Sequence, residues 1–136
     1  MATGMKALDE LKLRRVVGRK GQAVSTRAEN WRSARSLANI RISLESFAAL
    51  YAALVETAEL GKQDRARAKF VAGQVEQVIG QAKALGPSLA KVAETEQGVA
   101  QLRGLAAGVE DLFEVTAGFL ADVMKLQMGF NSLDGD

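Results

Sequence analysis

The sequence predicts an all-α fold, an elongated antiparallel bundle of three long helices preceded by a short basic N-terminal leader. Apolar residues recur at alternating steps of three and four over long stretches, which is the spacing of a buried helix face. No strand-like alternation of useful length interrupts this pattern. The chain has 136 residues, of which 48% are apolar, so one domain with a real core is expected and wholesale disorder is excluded.

The domain organisation follows the charge and the apolar pattern. Residues 1–24 are predicted to form a basic leader, residues 25–128 the helical bundle, and residues 129–136 an acidic polar tail. Within the leader, five basic side chains fall in nine positions, and two glycines interrupt any helix there. A short helix and an extended turn both remain open as its conformation.

The first helix is predicted over residues 27–60. The stretch Thr26-Arg-Ala-Glu29 has the form of a capping box, in which the Thr hydroxyl and the Glu carboxylate each accept a backbone N–H. Gly61 is a typical residue at which a helix stops. The side chains that define the buried face of this helix are Leu37, Ile40, Leu44, Phe47, Tyr51, Leu54 and Ala58.

The second and third helices are predicted over residues 65–85 and 88–127. Asp64 is a plausible N-cap for the second helix, and the turn at Gly86-Pro87 separates it from the third. The third helix carries three apolar columns at heptad spacing, a stripe too wide for a single neighbour. The buried face of the second helix consists of Val71, Val75, Val78, Ala82 and Leu85.

The three predicted helices differ in length, at about 51, 32 and 60 Å. Short loops make neighbouring helices antiparallel, so the C-terminal part of the third helix is expected to overhang the other two. Each large apolar side chain left in water there forgoes about 1.5–3 kcal/mol. Two explanations remain open: the helix breaks near Gly104 or Gly108 and folds back into a four-helix bundle, or another chain covers it. The overhanging side chains, predicted as partner contacts, are Leu112, Phe113, Phe119, Leu120, Val123 and Leu126.

Trp31 and Ile42 are predicted to point away from the core, because at 100° per residue they fall opposite the buried face of the first helix. Three interpretations remain open. These two side chains contact another subunit, or the leader covers them, or Trp31 stacks on nucleic-acid bases.

The charge is distributed unevenly along the chain. Residues 1–45 carry a net charge of +6 and residues 94–136 a net charge of −6, within a total of +2. A basic end on one copy can dock the acidic end of the next, although pairing within one chain or a solvated surface explains the same pattern. The predicted basic contact residues, which also suit a phosphate backbone, are Arg14, Arg15, Arg19, Lys20, Arg27 and Arg35.

Catalysis is not expected. The sequence has no His and no Cys, which removes the commonest general base, the thiolate nucleophile and the commonest transition-metal ligands. No motif indicates a cofactor, a metal site or a small-molecule substrate. The N-terminal residues lack an apolar signal region and no run is long enough to span a membrane, so a cytoplasmic location is expected.

Three functional hypotheses follow. The first is a non-enzymatic structural subunit of a larger oligomeric complex, such as a virion or secretion assembly, that packs against copies of itself or other proteins. The second is a small helical subunit of a nucleoprotein complex. The third is a dedicated chaperone or inhibitor that binds a partner helix. No motif supports the placement in a particular assembly.

Overall fold

The computed structural model describes residues 35–123, and the architecture of this part is a helical bundle. Four helices follow one another: α1, Ser36–Thr57; α2, Lys62–Ala84; α3, Leu89–Val92; and α4, Glu96–Asp122. No strand occurs between residues 35 and 123, so the all-α prediction is confirmed. The predicted leader, tail and domain boundaries, like the capping box at 26–29, lie outside the described residues.

Helix α1 has the predicted core face. Its buried residues include Leu37, Ile40, Leu44, Phe47 and Tyr51, as the three-four spacing indicated. The helix ends at Thr57, three residues before the predicted end, where the Thr hydroxyl donates to backbone carbonyls of the preceding turn. Residues 27–34 of the predicted first helix are not among the described residues.

Helix α2 begins three residues earlier than predicted. Its N-cap is Gly61, which was expected to stop the first helix, and Asp64 lies in the first turn instead of capping it. A carboxylate in the first turn is stabilised by the partial positive charge of the helix N-terminus. The loop before α2 is closed by Arg65, whose Nε donates to the carbonyl oxygen of Leu60 at 2.9 Å.

The predicted third helix is not continuous, and this is the main error in the sequence prediction. It divides into α3 and α4, with residues 93–95 between them. Thr95 caps α4, because its hydroxyl accepts a hydrogen bond from the N–H of Gly98 at 3.0 Å. A Cβ atom at Gly98 would lie 1.8 Å from the carbonyl oxygen of Val92, so only glycine permits this close turn. Helix α4 then continues unbroken through Gly104 and Gly108, so the alternative break is also wrong.

The break makes the three long helices similar in length. Helices α1, α2 and α4 contain 22, 23 and 27 residues, or about 33, 35 and 41 Å. Arg67 in the second turn of α2 pairs with Asp122 at the end of α4 over 3.1 Å. Tyr51 near the end of α1 contacts Phe119, with ring centroids 5.9 Å apart. Over the described residues the helices therefore end at about one level, and α4 does not overhang α1 and α2 there.

The side chains expected on that overhang lie within the core. Leu112, Phe119 and Leu120 are buried, and Phe113 and Val123 are partly buried against the same cluster. Their burial within one chain removes the reason for which partner contacts were predicted there. Leu126 lies outside the described residues.

Candidate functional site

An open groove of about 500 Å³ runs between α1 and α2. Both helices contribute small side chains four residues apart, and residues at this spacing share a helix face. Alanines leave this space empty where longer side chains would fill it. The apolar residues that line the groove are Ala48, Tyr51, Ala52, Val55, Ala68, Ala72 and Val75.

Tyr51 forms a rigid part of the groove wall. Its hydroxyl donates to the carbonyl oxygen of Ala68 at 3.1 Å, which ties α1 to α2. Its ring stacks on Phe47 at 6.5 Å and meets Phe119 at a tilt of 59°. Burial raises the pKa of Tyr51 to about 12, so the phenol is neutral at physiological pH. The residue therefore offers shape and a fixed hydroxyl, and no anionic nucleophile.

The charged residues of the groove are arranged unevenly along its length. Because α1 and α2 are antiparallel, Glu56, Arg65 and Lys69 lie at the end nearest the α1–α2 loop, which we call the loop end of the groove. Glu76 lies towards the opposite end. The loop end thus has one carboxylate and two cations, a formal charge of +1. Lys69 has no ion pair within the described part of the chain.

A second, smaller hollow of about 430 Å³ lies between α2 and α4. Phe70 and Val115 border it and are exposed, Phe70 at 59%. Its cation, Arg67, is already paired with Asp122. This hollow therefore has an apolar surface without a free charge to orient a ligand.

The predicted contact residues are not brought together within the described residues. Ile42 lies on α1 with 60% of its surface exposed, and Arg35 is exposed immediately before α1. Their roles as partner contact and basic contact stay predictions. The remaining members of the two sets, Trp31, Arg14, Arg15, Arg19, Lys20 and Arg27, lie outside the described residues.

Sequence reasoning missed the groove. Its signal was present as alanine pairs at 48 and 52 and at 68 and 72, with two cations four residues apart at 65 and 69. Small residues at helical spacing usually indicate close helix packing. Only the pairing of α1 with α2 shows that these two pairs border one space.

Several hydroxyl side chains of the described residues bond to backbone atoms. No three His, Cys, Asp or Glu residues cluster between residues 35 and 123 as a metal site requires. The hydroxyls of Ser43 and Thr57 donate to backbone carbonyls of their own helix, and those of Ser88 and Thr95 cap helices. None of these four hydroxyls contacts a general base.

Helix α1 is long and apolar enough to cross a membrane when length and composition alone are considered. The core helix of a soluble protein meets the same criteria, and 22% of the apolar stretch of α1 is buried in the bundle.

A family model described as imelysin, Peptidase_M75, matches residues 1–116, which is well over half of the chain. The chain belongs to the imelysin family. This family comprises iron-regulated, peptidase-like proteins and is helical, in agreement with the bundle. No curated protein and no solved structure matches this imelysin-family chain.

Membership of the imelysin family corrects the functional hypotheses drawn from the sequence. The chain is not assigned to a virion or secretion assembly, to a nucleoprotein complex or to a dedicated chaperone or inhibitor, because the family match points elsewhere. The assembly hypothesis rested mainly on the overhang, which the missed helix break had produced. The nucleoprotein hypothesis rested instead on the basic residues and on Trp31. Helix packing and charge alone could not identify the family.

The described residues do not identify which side chains would carry the chemistry named by the word peptidase in the family description. A peptidase needs an activated nucleophile or an activated water. This imelysin-family chain has no His or Cys, and its described residues hold no cluster of metal-ligating side chains. Residues 35–123 therefore form no cluster of the kind that holds a catalytic metal.

Proposed function

We propose that this imelysin-family chain is a binding module without peptidase activity of its own, and that it holds an apolar ligand in the groove between α1 and α2. The observation that carries the proposal is the groove itself, an open space of about 500 Å³ with a mostly apolar lining. Ligand pockets typically have volumes of roughly 300–1,000 Å³ and apolar walls with few polar groups.

The groove has the features that stabilise a bound apolar ligand. Val55, Ala72 and Val75 offer apolar surface, and each Å² of apolar ligand surface removed from water contributes about 25 cal/mol. The wall is held in place by the hydrogen bond from Tyr51 to the Ala68 carbonyl. A preformed wall lowers the entropic cost of binding, because few side chains have to be ordered.

The proposed lack of peptidase activity has separate support in the composition of the chain. With no His and no Cys, the usual general base and thiolate nucleophile are missing from all 136 residues. The sequence also led us to expect protein partners, a cytoplasmic location and no small-molecule substrate. The first two expectations stay predictions, whereas the groove leads us to propose a small ligand in place of the third.

Peptide cleavage is tested by incubating the purified chain with a mixed peptide library, with and without added Zn²⁺ or Fe²⁺, followed by mass spectrometry. We expect no new peptide termini in any arm. Metal-dependent cleavage that persists through repeated purification would overturn the non-catalytic part of the proposal.

Ligand binding is tested with N-phenylnaphthylamine, a neutral apolar fluorophore whose emission rises when it leaves water. Ala52→Phe fills the groove, and Ala53→Phe is its matched control, because Ala53 is the exposed neighbour on α1 and does not line the groove. We expect Ala52→Phe to weaken binding by about tenfold or more, which is 1.4 kcal/mol, and Ala53→Phe to leave it unchanged.

Helicity measured by circular dichroism confirms that both variants are folded. Equal affinity in the two variants, or no binding by the parent chain, would overturn the proposed site.

A further inference from the structure

We infer that the ligand of the groove is a singly charged anionic amphiphile, a medium-chain fatty acid, with its carboxylate at the loop end and its hydrocarbon tail along the alanine-lined walls. This inference rests on the proposed function. It adds the charge and the orientation of the ligand, neither of which the apolar lining determines.

The loop end of the groove complements a single negative charge. Arg65 and Lys69 stand four residues apart on α2, so they lie on one face of the helix beside the apolar lining. Glu56 is the carboxylate at the same end, which leaves a formal charge of +1. A single carboxylate neutralises this charge, whereas a doubly charged phosphate would leave an excess negative charge.

The two cations of the loop end have free N–H donors for one carboxylate. The Nε of Arg65 is fixed by its bond to the Leu60 carbonyl oxygen, which holds the guanidinium beside the groove. That bond uses one of the five N–H donors of the side chain, and a carboxylate can accept two parallel bonds from a guanidinium. Lys69, which is not ion-paired within residues 35–123, supplies a second donor.

The opposite end of the groove disfavours a negatively charged head group. Glu76 lines that end, and no cation lines it beside this carboxylate. A negatively charged head group is therefore repelled from one end and attracted to the other, so the ligand has one favoured direction. The tail then lies against Ala48, Ala52 and Ala72, where the lining is apolar.

The test compares three ligands that share one tail and differ in the head group: dodecanoate, dodecanol and dodecylammonium. Each is used below its micelle concentration to displace N-phenylnaphthylamine from the full chain. We expect dodecanoate to bind about tenfold more tightly than dodecanol, and dodecylammonium to bind most weakly. Equal affinities for the three would overturn the inference while the proposed apolar site stands.

A charge reversal locates the head group. Lys69→Glu should reduce dodecanoate affinity by about tenfold or more and leave dodecanol affinity within about twofold. Lys91→Glu is the matched control, because it makes the same change of charge at an exposed residue of α3 that does not line the groove. Equal loss of dodecanoate binding in both variants would mean that only net charge matters, which overturns the inference.

A second copy of the chain is the alternative occupant, and sedimentation of the parent chain and of Ala52→Phe distinguishes it. We expect the mass of a monomer for both, with fluorophore binding lost only in Ala52→Phe. A parent chain that is dimeric and excludes the fluorophore, combined with a monomeric Ala52→Phe, would overturn both the ligand and the proposed function.

Discussion

Tyr51 is the residue through which the core, the groove and the pairing of α1 with α2 are connected. Its ring is packed between Phe47 and Phe119, its hydroxyl bonds to Ala68, and one edge lines the groove. The sequence predicted only the first of these roles, because the three-four spacing identifies a buried position and not its hydrogen-bond partner. The partner lies 17 residues away, on another helix.

Tyr51 is the only tyrosine in the chain, so its ionisation can be followed directly by tyrosinate ultraviolet absorbance. Burial raises the pKa of Tyr51 to about 12 in the folded state, against about 10 in an unfolded chain. We therefore expect a native titration midpoint near pH 12 and a midpoint near pH 10 in denaturant. A native midpoint near pH 10 would show that the hydroxyl is solvated and that its bond to Ala68 is wrong.

The same shift predicts a pH dependence of stability. Because the folded state favours the neutral phenol, the contribution of Tyr51 is fully present below about pH 10 and is lost as the pH rises to about 12. Tyr51→Phe should lack this component, so the stability difference between parent and variant should shrink across that window. Urea unfolding at a series of pH values measures the difference in free energy of unfolding between the parent and Tyr51→Phe. Lysine titration affects both chains equally and so does not contribute to this difference.

At the scale of the helix, the break between α3 and α4 shows what apolar spacing can and cannot predict. Val92 and Val99 are seven residues apart, and this spacing continued the heptad pattern straight through the break. The spacing of apolar side chains carries no information about backbone conformation. At the break, the Thr95 hydroxyl caps α4 and the backbone at Gly98 passes close to the carbonyl of Val92. Thr followed three residues later by Gly was the signal overlooked.

Thr95→Ala tests that cap. The variant removes the acceptor for the Gly98 N–H, and loss of an N-cap typically costs about 1 kcal/mol in the free energy of unfolding. Thr57→Ala is the matched control, because Thr57 lies at the exposed C-terminal end of α1 and its hydroxyl bonds only to its own helix. Chemical denaturation should show a loss for Thr95→Ala alone, and equal effects would contradict the assigned cap.

The groove belongs to a scale above the single helix, which explains why the sequence did not predict it. Each alanine pair is compatible with a buried face, an exposed face or a helix crossing. Whether Ala52 and Ala72 border one space depends on how α1 pairs with α2. That pairing is aligned by Lys83 with Glu45 at 3.0 Å and by Tyr51 with Ala68. Such contacts between distant residues cannot be deduced from spacing alone.

At the scale of the whole molecule, the question is whether one chain buries its own apolar surface. The predicted lengths left a choice between a fold-back of the third helix and cover by another chain, and within the described residues α1, α2 and α4 need neither. The decisive residue is Phe119, which is 1% exposed and contacts Tyr51 of the same chain. Its burial is a property of the fold and not of an interface.

Phe119→Ala should therefore lower the free energy of unfolding by about 3–5 kcal/mol, with no dependence on protein concentration. Phe70→Ala is the matched control, since Phe70 is 59% exposed and should change stability by no more than about 0.5 kcal/mol. If Phe119→Ala does not fold, Phe119→Leu gives a smaller loss of stability of the same origin.

Urea unfolding at low and high protein concentration distinguishes burial of Phe119 within one chain from burial between chains, because a subunit interface becomes more stable as protein concentration rises. If the urea midpoint of unfolding rises with protein concentration in the parent chain but not in Phe119→Ala, Phe119 lies between chains and the protein is an obligate oligomer.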